Sequence, residues 1–404
     1  MVAWLQPYAT IVTPCYAGEM KTFTYLLRPN KAQEQALWSV LIGSRHLYNQ
    51  LLDECVAHYK ETEKHLTIYE QDKRHGSKEH PALPAVVVDT TLKRVHRSFR
   101  TFFEGRKEGR RVGFPRFKGA TRWHSFAFRD AGNCLDGRYF KAGKLCGGRI
   151  RTVAHRPLEG TFTCARIIHR PSGWYLHCVC ETSPQPLPAQ DTAIGLDMGL
   201  TYLVADSDAH MVRNPKNLQK RAQRLARAQR VLCRRHKGSA RRKKAGRRVA
   251  RLHERIANQR KDTLHKVSQH YVNGYQTIAI ENVQPANMVQ NHALARAISD
   301  ASWGTLRSLL SYKAEDAGRH LVAVPPHYTS QRCSRCKGHV QKSLSVRTHV
   351  CPSCGYVADR DTNAALNILC AAQKGPDGAV GDQGKEAAHQ QWVSPGKNRE
   401  AAGL

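Results

Sequence analysis

The first 180 residues alternate between hydrophobic patterns typical of strands and patterns typical of helices. Residues 21–27 predict a strand, and residues 32–59 and 86–103 carry apolar side chains at helical spacing. The polar, proline-containing stretch 70–84 predicts a loop between these two helices. Residues 120–182 favour β-structure and end in two alternating strands around a Pro-Ser-Gly turn, which indicates a hairpin.

A proline-rich stretch at residues 184–188 predicts a domain boundary, and the pattern changes after it. Two short apolar strands follow at residues 193–196 and 276–283, and each has a carboxylate near its carboxyl end. Between them, residues 217–271 predict two long helices that break at a Lys-Gly-Ser turn. Residues 356–370 contain a further predicted helix, which opens at Asp361, so the second half of the chain has an α/β pattern.

The charge balance limits the classes of function that fit this chain. The chain has 404 residues, with 64 Lys and Arg against 32 Asp and Glu, a formal net charge of +32 and a pI of about 10.0. A field of this sign attracts polyanions, of which nucleic acids are the commonest partners. A generally basic protein of the ribosomal type is the alternative, and charge does not distinguish DNA from RNA or binding from cleavage.

The cysteines point to a metal rather than to disulfides. There are 13, an odd number, in a chain with no secretory signal and no apolar stretch of the roughly 18 residues that a membrane span requires. No membrane partner is expected, and a reducing compartment fits this usage. The expected location is the cytoplasm of a prokaryote, in association with the nucleoid. Cys333, Cys336, Cys351 and Cys354 form two C-x₂-C pairs with fourteen residues between them. Four thiolates at this spacing match tetrahedral Zn²⁺ and leave no open position, so we expect one structural zinc ion.

Three carboxylates are candidates for a catalytic metal site. Asp197 ends one apolar strand, Glu281 ends the other, and Asp361 opens the last predicted helix. Each alone is more often a turn or cap residue, and Asp359 is a weaker candidate that suits a cap. Functional groups collect at the carboxyl edge of α/β sheets, and converging carboxylates repel one another unless cations lie between them. We therefore predict two Mg²⁺ ions, which support phosphodiester cleavage.

Two basic segments are candidates for nucleic-acid contact. Residues 105–119 combine basic side chains with two Phe, which suits phosphate neutralisation and base stacking, although a structural corner is the alternative. In residues 217–271 Glu254 and Asp262 are the only acids, whereas a solvated helix usually mixes both signs. Contacts there should be mostly to phosphate and independent of sequence. The predicted nucleic-acid ligands are Arg110, Arg111, Arg116, Lys118, Arg234, Arg235, Arg241, Arg242, Lys243, Lys244, Arg247 and Arg248.

Several motifs together resemble one family. The motifs are LDMGL (196–200), IENV (280–283), residues 287–318, TSQRCSRC (329–336), CPSCG (351–355) and DRDTNAALNIL (359–369), together with residues 26–52 and VGFPRFK (112–118) in the first half. In order and spacing they are similar to the TnpB nucleases of insertion sequences, which are akin to compact type V CRISPR effectors. The resemblance implies an RNA-guided, Mg²⁺-dependent DNA endonuclease, whose noncoding guide RNA pairs with double-stranded target DNA beside a short motif.

The resemblance also implies the fold class, a multidomain α/β protein built around an RNase H-like (RuvC) core. That core holds an inserted four-Cys zinc ribbon and follows a β-barrel-like wedge domain with an inserted helical recognition domain. The expected bounds are 1–30 and 120–187 for the wedge domain, 31–119 for the recognition domain, 188–329 and 356–373 for the RuvC domain, and 330–355 for the zinc ribbon. A monomeric ribonucleoprotein is expected.

Matched to the family motifs, the three RuvC acids fall on Asp197, Glu281 and Asp361, and the zinc ligands fall on the four paired cysteines. Two segments depart from the family pattern. The leader before Lys21 has no counterpart and is expected to be an extension, and the tail of residues 374–404 is expected to be poorly ordered.

Two other functions stay open on sequence alone. The chain could use guide RNA to bind DNA without cutting it, although the complete acidic triad speaks against this. It could instead be a zinc-ribbon DNA-binding protein that assists transposition without RNA, in which case RNase treatment would leave its DNA binding unchanged. A transposase proper is not expected, because no residue stands out as a dedicated Tyr nucleophile.

Overall fold

The structure, a computed structural model, describes residues 19–129, 135–145, 148–326, 329–343 and 346–373. The predictions made for the leader before Lys21 and for the tail concern residues that lie outside these ranges, apart from the first residues of the first strand. The chain divides into two compact units at Ser183 and Pro184. Across the described residues, no helix is long and apolar enough to cross a membrane.

The first unit contains one antiparallel sheet in the order β2-β6-β7-β1-β5-β4-β3. Its strands are β1 (Glu19–Arg28), β2 (Ser125–Arg129), β3 (Leu135–Asp136), β4 (Tyr139–Lys141), β5 (Arg149–Val153), β6 (Thr161–Arg170) and β7 (Gly173–Thr182). The predicted hairpin is confirmed, because β6 and β7 pair from Thr161 to the turn at Arg170 and Gly173. Every second residue of β7 is buried, as the alternating pattern requires.

This sheet is open, which corrects the expected barrel-like form. Its edges are β2 and β3, and no pairing between described residues joins them. The strands at one edge are short, since β3 has two residues and β4 has three, so this edge offers few backbone groups for closure.

In the described part of this unit three α-helices accompany the sheet: α1 (Lys31–Thr62), α2 (Ile68–Arg74) and α3 (Ala85–Lys107). α1 and α3 were predicted, and α1 begins with a capping box between Asn30 and Gln33. α2 is a correction, since the sequence predicted a loop from residue 70. A second capping box, between Thr67 and Glu70, starts this helix. The fully buried Gln71 then anchors it by donating to the carbonyl oxygen of Leu51 at 2.9 Å.

The second unit contains a five-stranded mixed sheet in the order β10-β9-β8-β11-β12. Its strands are β8 (Ala193–Asp197), β9 (Tyr202–Asp206), β10 (Met211–Arg213), β11 (Thr277–Glu281) and β12 (His320–Val324). β8, β11 and β12 run parallel, whereas β9 and β10 are antiparallel to their neighbours. The apolar runs that predict β8 and β11 have a structural reason, because Ile194, Leu196, Ile278 and Ile280 are buried in the core.

Six helices are described in the second unit: α4 (Asn217–Cys233), α5 (Ala240–Gly274), α6 (Pro285–Met288), α7 (His292–Ala301), α8 (Trp303–Asp316) and α9 (Arg360–Gln373). The two predicted basic helices are α4 and α5. Leu225 and Ala228 of α4 pack on Leu252 of α5, so a narrow apolar seam holds the hairpin together. Further along α5, Leu264 and Tyr271 belong instead to the main core beside the sheet.

α9 lies directly on the centre of this sheet. A Cβ atom on Gly195 of β8 would stand 2.1 Å from the carbonyl oxygen of Ala365, so only glycine allows the backbone of α9 to come this close. The helix begins at Arg360, next to the predicted start at Asp361. Just before it, Val357–Asp359 forms a strand, β14, which pairs with β13 (Thr348–Val350). This two-stranded ribbon adjoins the four cysteines.

Candidate active site and nucleic-acid interface

The carboxylates of Asp197 and Glu281 lie at one edge of the five-stranded sheet. β8 and β11 are parallel neighbours, and Leu196 pairs with Ile280 in their register. Asp197 and Glu281 are the next residues on the two strands, so both occupy the carboxyl ends of adjacent strands. Both side chains are partly buried.

Asp361 reaches the same edge from the first turn of α9. It is 7% exposed, and α9 packs against both β8 and β11. The three acids are close enough to interact, since Glu281 and Asp361 both raise the pKa of Asp197. The structure therefore brings together the three carboxylates that the sequence selected.

The electrostatics of this site disfavour free, ionised carboxylates. Burial raises the pKa of Asp197 to about 7, and the negative charges of Glu281 and Asp361 add to the rise. Burial also raises the pKa of Glu281, and a hydrogen bond from Thr329 opposes that rise. A divalent cation with a preference for hard oxygen ligands fits this donor set, because it would neutralise the mutual repulsion.

Asp359 and Asp361 differ in their surroundings. Oδ1 of Asp359 accepts hydrogen bonds from the backbone N–H groups of Asp361 at 2.8 Å and Thr362 at 3.4 Å, so Asp359 caps α9. The carboxylate of Asp361 instead faces two cations, Arg347 Nη1 at 3.0 Å and Arg360 Nε at 3.3 Å.

Arg347 is a site residue that the sequence analysis missed. One guanidinium nitrogen donates to Asp361, and the other, Nη2, donates to the hydroxyl of Thr201 at 2.5 Å. It therefore joins the turn after β8 to the start of α9. Its one sequence signal is its place four residues before Cys351, and that signal has meaning only once the cysteine segment is known to fold onto the acidic site.

Thr329 was missed in the same way. Its hydroxyl donates to Oε1 of Glu281, and the residue is only 9% exposed. Like Arg347, it lies four residues before a cysteine pair, in this case the pair that begins with Cys333. The segment that holds the cysteines thus supplies a polar partner to two of the three acids.

The four cysteines converge as their spacing predicts. Their Sγ atoms all lie within 4.8 Å of one another, with 3.7 Å between Cys333 and Cys354 and 3.5 Å between Cys336 and Cys351. Tetrahedral coordination with Zn–S bonds of about 2.3 Å needs sulfur separations of about 3.8 Å. The cluster can therefore hold a metal ion such as zinc. Among the described residues these cysteines are the only group of three or more His, Cys, Asp or Glu placed to hold a metal ion, and the three acids do not form a second such group.

Comparisons with known proteins identify the family to which this chain belongs. Residues 177–292 match the family described as "Probable transposase", and residues 303–368 match the "Cas12f1-like, TNB domain". A protein of Streptomyces pristinaespiralis, named "Putative RNA-guided DNA endonuclease", is 40% identical over 297 residues, which cover 71% of each chain. The chain belongs to the TnpB family. A protein of Escherichia coli K12 with the same name and the suffix InsQ is 30% identical over 87% of this chain and 92% of its own.

Two further comparisons concern the fold. Residues 20–64 match a family described as "Helix-turn-helix domain", but in this TnpB-family chain they form β1 and the uninterrupted 32-residue helix α1. The solved structure described as "Cryo-EM structure of the Cas12f1-sgRNA-target DNA complex" is 15% identical, with a TM-score of 0.34 over 87% of this chain and 99% of that one.

The first basic segment of this TnpB-family chain, residues 105–119, begins in the last turn of α3, and together with the end of that helix it presents aromatic rings to solvent. Phe114 packs edge-on against Phe99 and Phe102 of α3, with ring centroids 5.6 and 5.3 Å apart. Phe103 and Phe114 are nevertheless 44% and 49% exposed, and Phe117 is 54% exposed. Arrays of this kind suit stacking of unpaired bases.

The basic residues of this segment differ in their exposure and in the contacts they make. Arg111 and Arg116 are exposed. Arg110 is exposed as well, but it pairs with Glu108 at 2.6 Å. Lys118 is half-buried, and its backbone N–H is anchored to the side chain of Asn49 on α1 at 2.7 Å.

The α4–α5 hairpin displays most of the basic residues predicted there. Arg242 is the exception, because its Nη1 donates to the carbonyl oxygens of Leu232 at 3.0 Å and Arg235 at 2.8 Å. It therefore helps to close the turn between the helices. The exposed side chains are Arg234, Arg235, Arg241, Lys243, Lys244, Arg247 and Arg248.

Proposed function

We propose that this TnpB-family chain is an RNA-guided DNA endonuclease encoded by a transposable element. The observation that carries the proposal is the meeting of three carboxylates at the ends of adjacent parallel strands and at a helix start. The names of the relatives, RNA-guided DNA endonucleases, support DNA as the substrate and RNA as the guide. The mixed sheet β10-β9-β8-β11-β12 with α9 on its face supports an RNase H-like, RuvC-type core.

In this proposal Asp197, Glu281 and Asp361 hold two Mg²⁺ ions. When bound, such ions supply an activated water and stabilise the leaving oxygen in phosphodiester hydrolysis. Because its pKa is raised to about 7, the Asp197 carboxyl is about half protonated at neutral pH, and cation binding would favour its ionised form. Arg347 offsets the charge of Asp361, and Thr329 fixes one oxygen of Glu281.

For the cysteine cluster we propose a structural Zn²⁺ ion, because its four sulfurs would fill a tetrahedral shell and would leave no position for substrate. The cluster lies on the chain between β12 and α9, where it holds the segments that carry Thr329 and Arg347. Loss of the zinc ion would lower the cleavage rate indirectly, because the acids would no longer be held in place.

The exposed basic residues of the α4–α5 hairpin and of residues 105–119 are the proposed contacts to guide RNA and target DNA. The hairpin is almost entirely basic along two helices, with Glu254 and Asp262 as its only acids, which suits phosphates. The exposed rings of Phe103, Phe114 and Phe117 suit unpaired bases. The complex is proposed to be a monomeric ribonucleoprotein.

The proposed domain bounds are those implied by the family. The pairing of β1 with both β5 and β7 supports one wedge domain from residues 1–30 and 120–187, and α1 to α3 support a helical recognition domain at 31–119. The second unit supports a RuvC domain at 188–329 and 356–373 with the zinc ribbon at 330–355.

The test begins with expression of the protein together with its native flanking DNA and sequencing of the RNA that co-purifies. We expect one dominant structured RNA with a variable 3′ segment, and Mg²⁺-dependent cleavage of double-stranded DNA that matches this segment. Asp197→Ala should abolish cleavage, while Asp191→Ala, an exposed acid just before β8, should cleave like wild type. Random cellular RNA, no cleavage, and DNA binding that survives RNase would instead support a transposition accessory.

A further inference from the structure

Thr329 sits where three parts of the second unit meet. Its hydroxyl donates to Oε1 of Glu281 at the end of β11. Its carbonyl oxygen accepts a hydrogen bond from Nδ2 of Asn367 on α9, at 2.8 Å. Along the chain it lies between β12 and the first cysteine pair. Thr329 therefore contacts both Glu281 and α9, the helix that carries Asp361.

Two buried amides hold the first cysteine pair to the same helix. Nδ2 of Asn367 also donates to the carbonyl oxygen of Arg332 at 2.7 Å, and Nδ2 of Asn363 donates to it at 2.8 Å. Oδ1 of Asn363 accepts from the backbone N–H of Ser334 at 2.9 Å. Asn363 is fully buried and Asn367 is 8% exposed, so breaking these bonds would leave unpaired buried polar groups.

We propose that Thr329 is a positioning residue that fixes the carboxylate of Glu281, and that Asn363 and Asn367 lock it in register with Asp361. The proposal rests on the proposed nuclease function. Held by Thr329 at Oε1, the Glu281 carboxylate keeps one orientation relative to α9, and its other oxygen stays available to a cation. The two asparagines lie two and six residues after Asp361 on α9, so they tie the cysteine segment to the helix that places that acid.

The test compares Thr329→Val, which keeps the shape and removes the hydroxyl, with Thr329→Ser, which keeps the hydroxyl. Loss of a partner that orients a metal ligand typically costs about 10- to 100-fold in metal affinity or activity. We expect Thr329→Val to lower single-turnover cleavage and direct Mn²⁺ binding in titration calorimetry by about this factor. Guide RNA content, DNA affinity and zinc content should stay at wild-type levels, and Thr329→Ser should restore cleavage and Mn²⁺ affinity.

A double-mutant cycle separates positioning from general structural support. In a Glu281→Ala background, Thr329→Val should have no further effect on Mn²⁺ affinity, because the side chain that Thr329 orients is gone. Equal losses in both backgrounds, a Ser variant as defective as the Val variant, or a Val variant that binds Mn²⁺ like wild type would each overturn the proposal. If valine does not fit the site, as judged by lost zinc or a lowered Tm, Thr329→Ala takes its place in the cycle.

The Mn²⁺ titration also distinguishes this proposal from the proposed function. A wild-type protein that does not cut DNA would count against the nuclease, whereas the effect of Thr329→Val on Mn²⁺ affinity would still decide whether the hydroxyl orients Glu281.

Discussion

Replacing Asp197 by asparagine should stabilise the metal-free protein while it abolishes cleavage. Folding places this carboxyl where burial and the charges of Glu281 and Asp361 raise its pKa from 3.8 to about 7. In the unfolded chain the carboxyl ionises freely, so at neutral pH its ionisation favours unfolding. The neutral amide of asparagine keeps the size of the side chain and removes this cost.

The size of the expected gain in unfolding free energy follows from the pKa shift of Asp197. One pKa unit is worth about 1.36 kcal/mol, so a rise from 3.8 to about 7 corresponds to about 4 kcal/mol. A raised folded-state pKa gives stability that is complete below the unfolded value of 3.8 and is lost as the pH rises through about 7. The advantage of Asp197→Asn in unfolding free energy should thus be about 4 kcal/mol near pH 8 and about 2 kcal/mol near pH 5, as upper limits, because solvent screens part of the effect.

The assay is urea unfolding at these two pH values, in buffer from which a resin has removed Mg²⁺, with zinc content measured to be equal in all samples. Asp191→Asn, at an exposed position, serves as the control and should show no pH-dependent gain. Added Mg²⁺ should stabilise the wild type more than Asp197→Asn, because the variant lacks one ligand. An Asp197→Asn variant that is less stable than wild type near pH 8, or whose advantage does not grow with pH, would refute the reasoning.

Three further predictions follow from the same contacts. Cys351→Ser should remove bound zinc and lower Tm, whereas Cys233→Ser, at an exposed cysteine outside the cluster, should keep both; atomic emission and calorimetry check this. Arg247→Ala with Arg248→Ala should weaken binding to all DNA sequences and lower the slope of log affinity against log salt by about 0.9 per lost phosphate contact. A loss confined to one target sequence would contradict that. Arg347→Ala should lower the cleavage rate by about tenfold or more at unchanged zinc content, with Arg347→Lys only partly active, since lysine lacks the fork that spans Asp361 and Thr201.

The local hydrophobic pattern was sufficient to predict the long helices of this fold. α1, α3, α4 and α5 each carry an apolar stripe at helical spacing, and each is a helix close to the predicted bounds. The short elements were missed for a physical reason. α2 has seven residues, too few for a periodic stripe, and its one local signal is the Thr67 to Glu70 capping box. β14 has three residues and exists because it pairs with β13 beside the cysteines.

The candidate site could be predicted only in part. Asp197 and Glu281 stood out as polar ends of apolar strands, but nothing local showed that β8 and β11 are adjacent; their parallel pairing is a tertiary fact. Gly195 did not identify its neighbour either, since a glycine inside a strand indicates that another segment comes close but not which segment it is. The structure supplies the answer, which is the backbone of α9.

The two residues that contact the acids from the cysteine segment also explain why the acidic site should depend on the cysteine cluster. Thr329 reaches Glu281 and Arg347 reaches Asp361, and each lies four residues before one of the two cysteine pairs. The core of the sheet needs neither pair, because Ile194 and Ile280 are buried among other apolar side chains of the same unit. Removal of the metal from the cysteines should therefore disturb the acids before it disturbs the sheet, and cleavage should fall while most secondary structure persists. A sheet that melts together with the loss of metal would mean that the cysteine segment supports the whole unit.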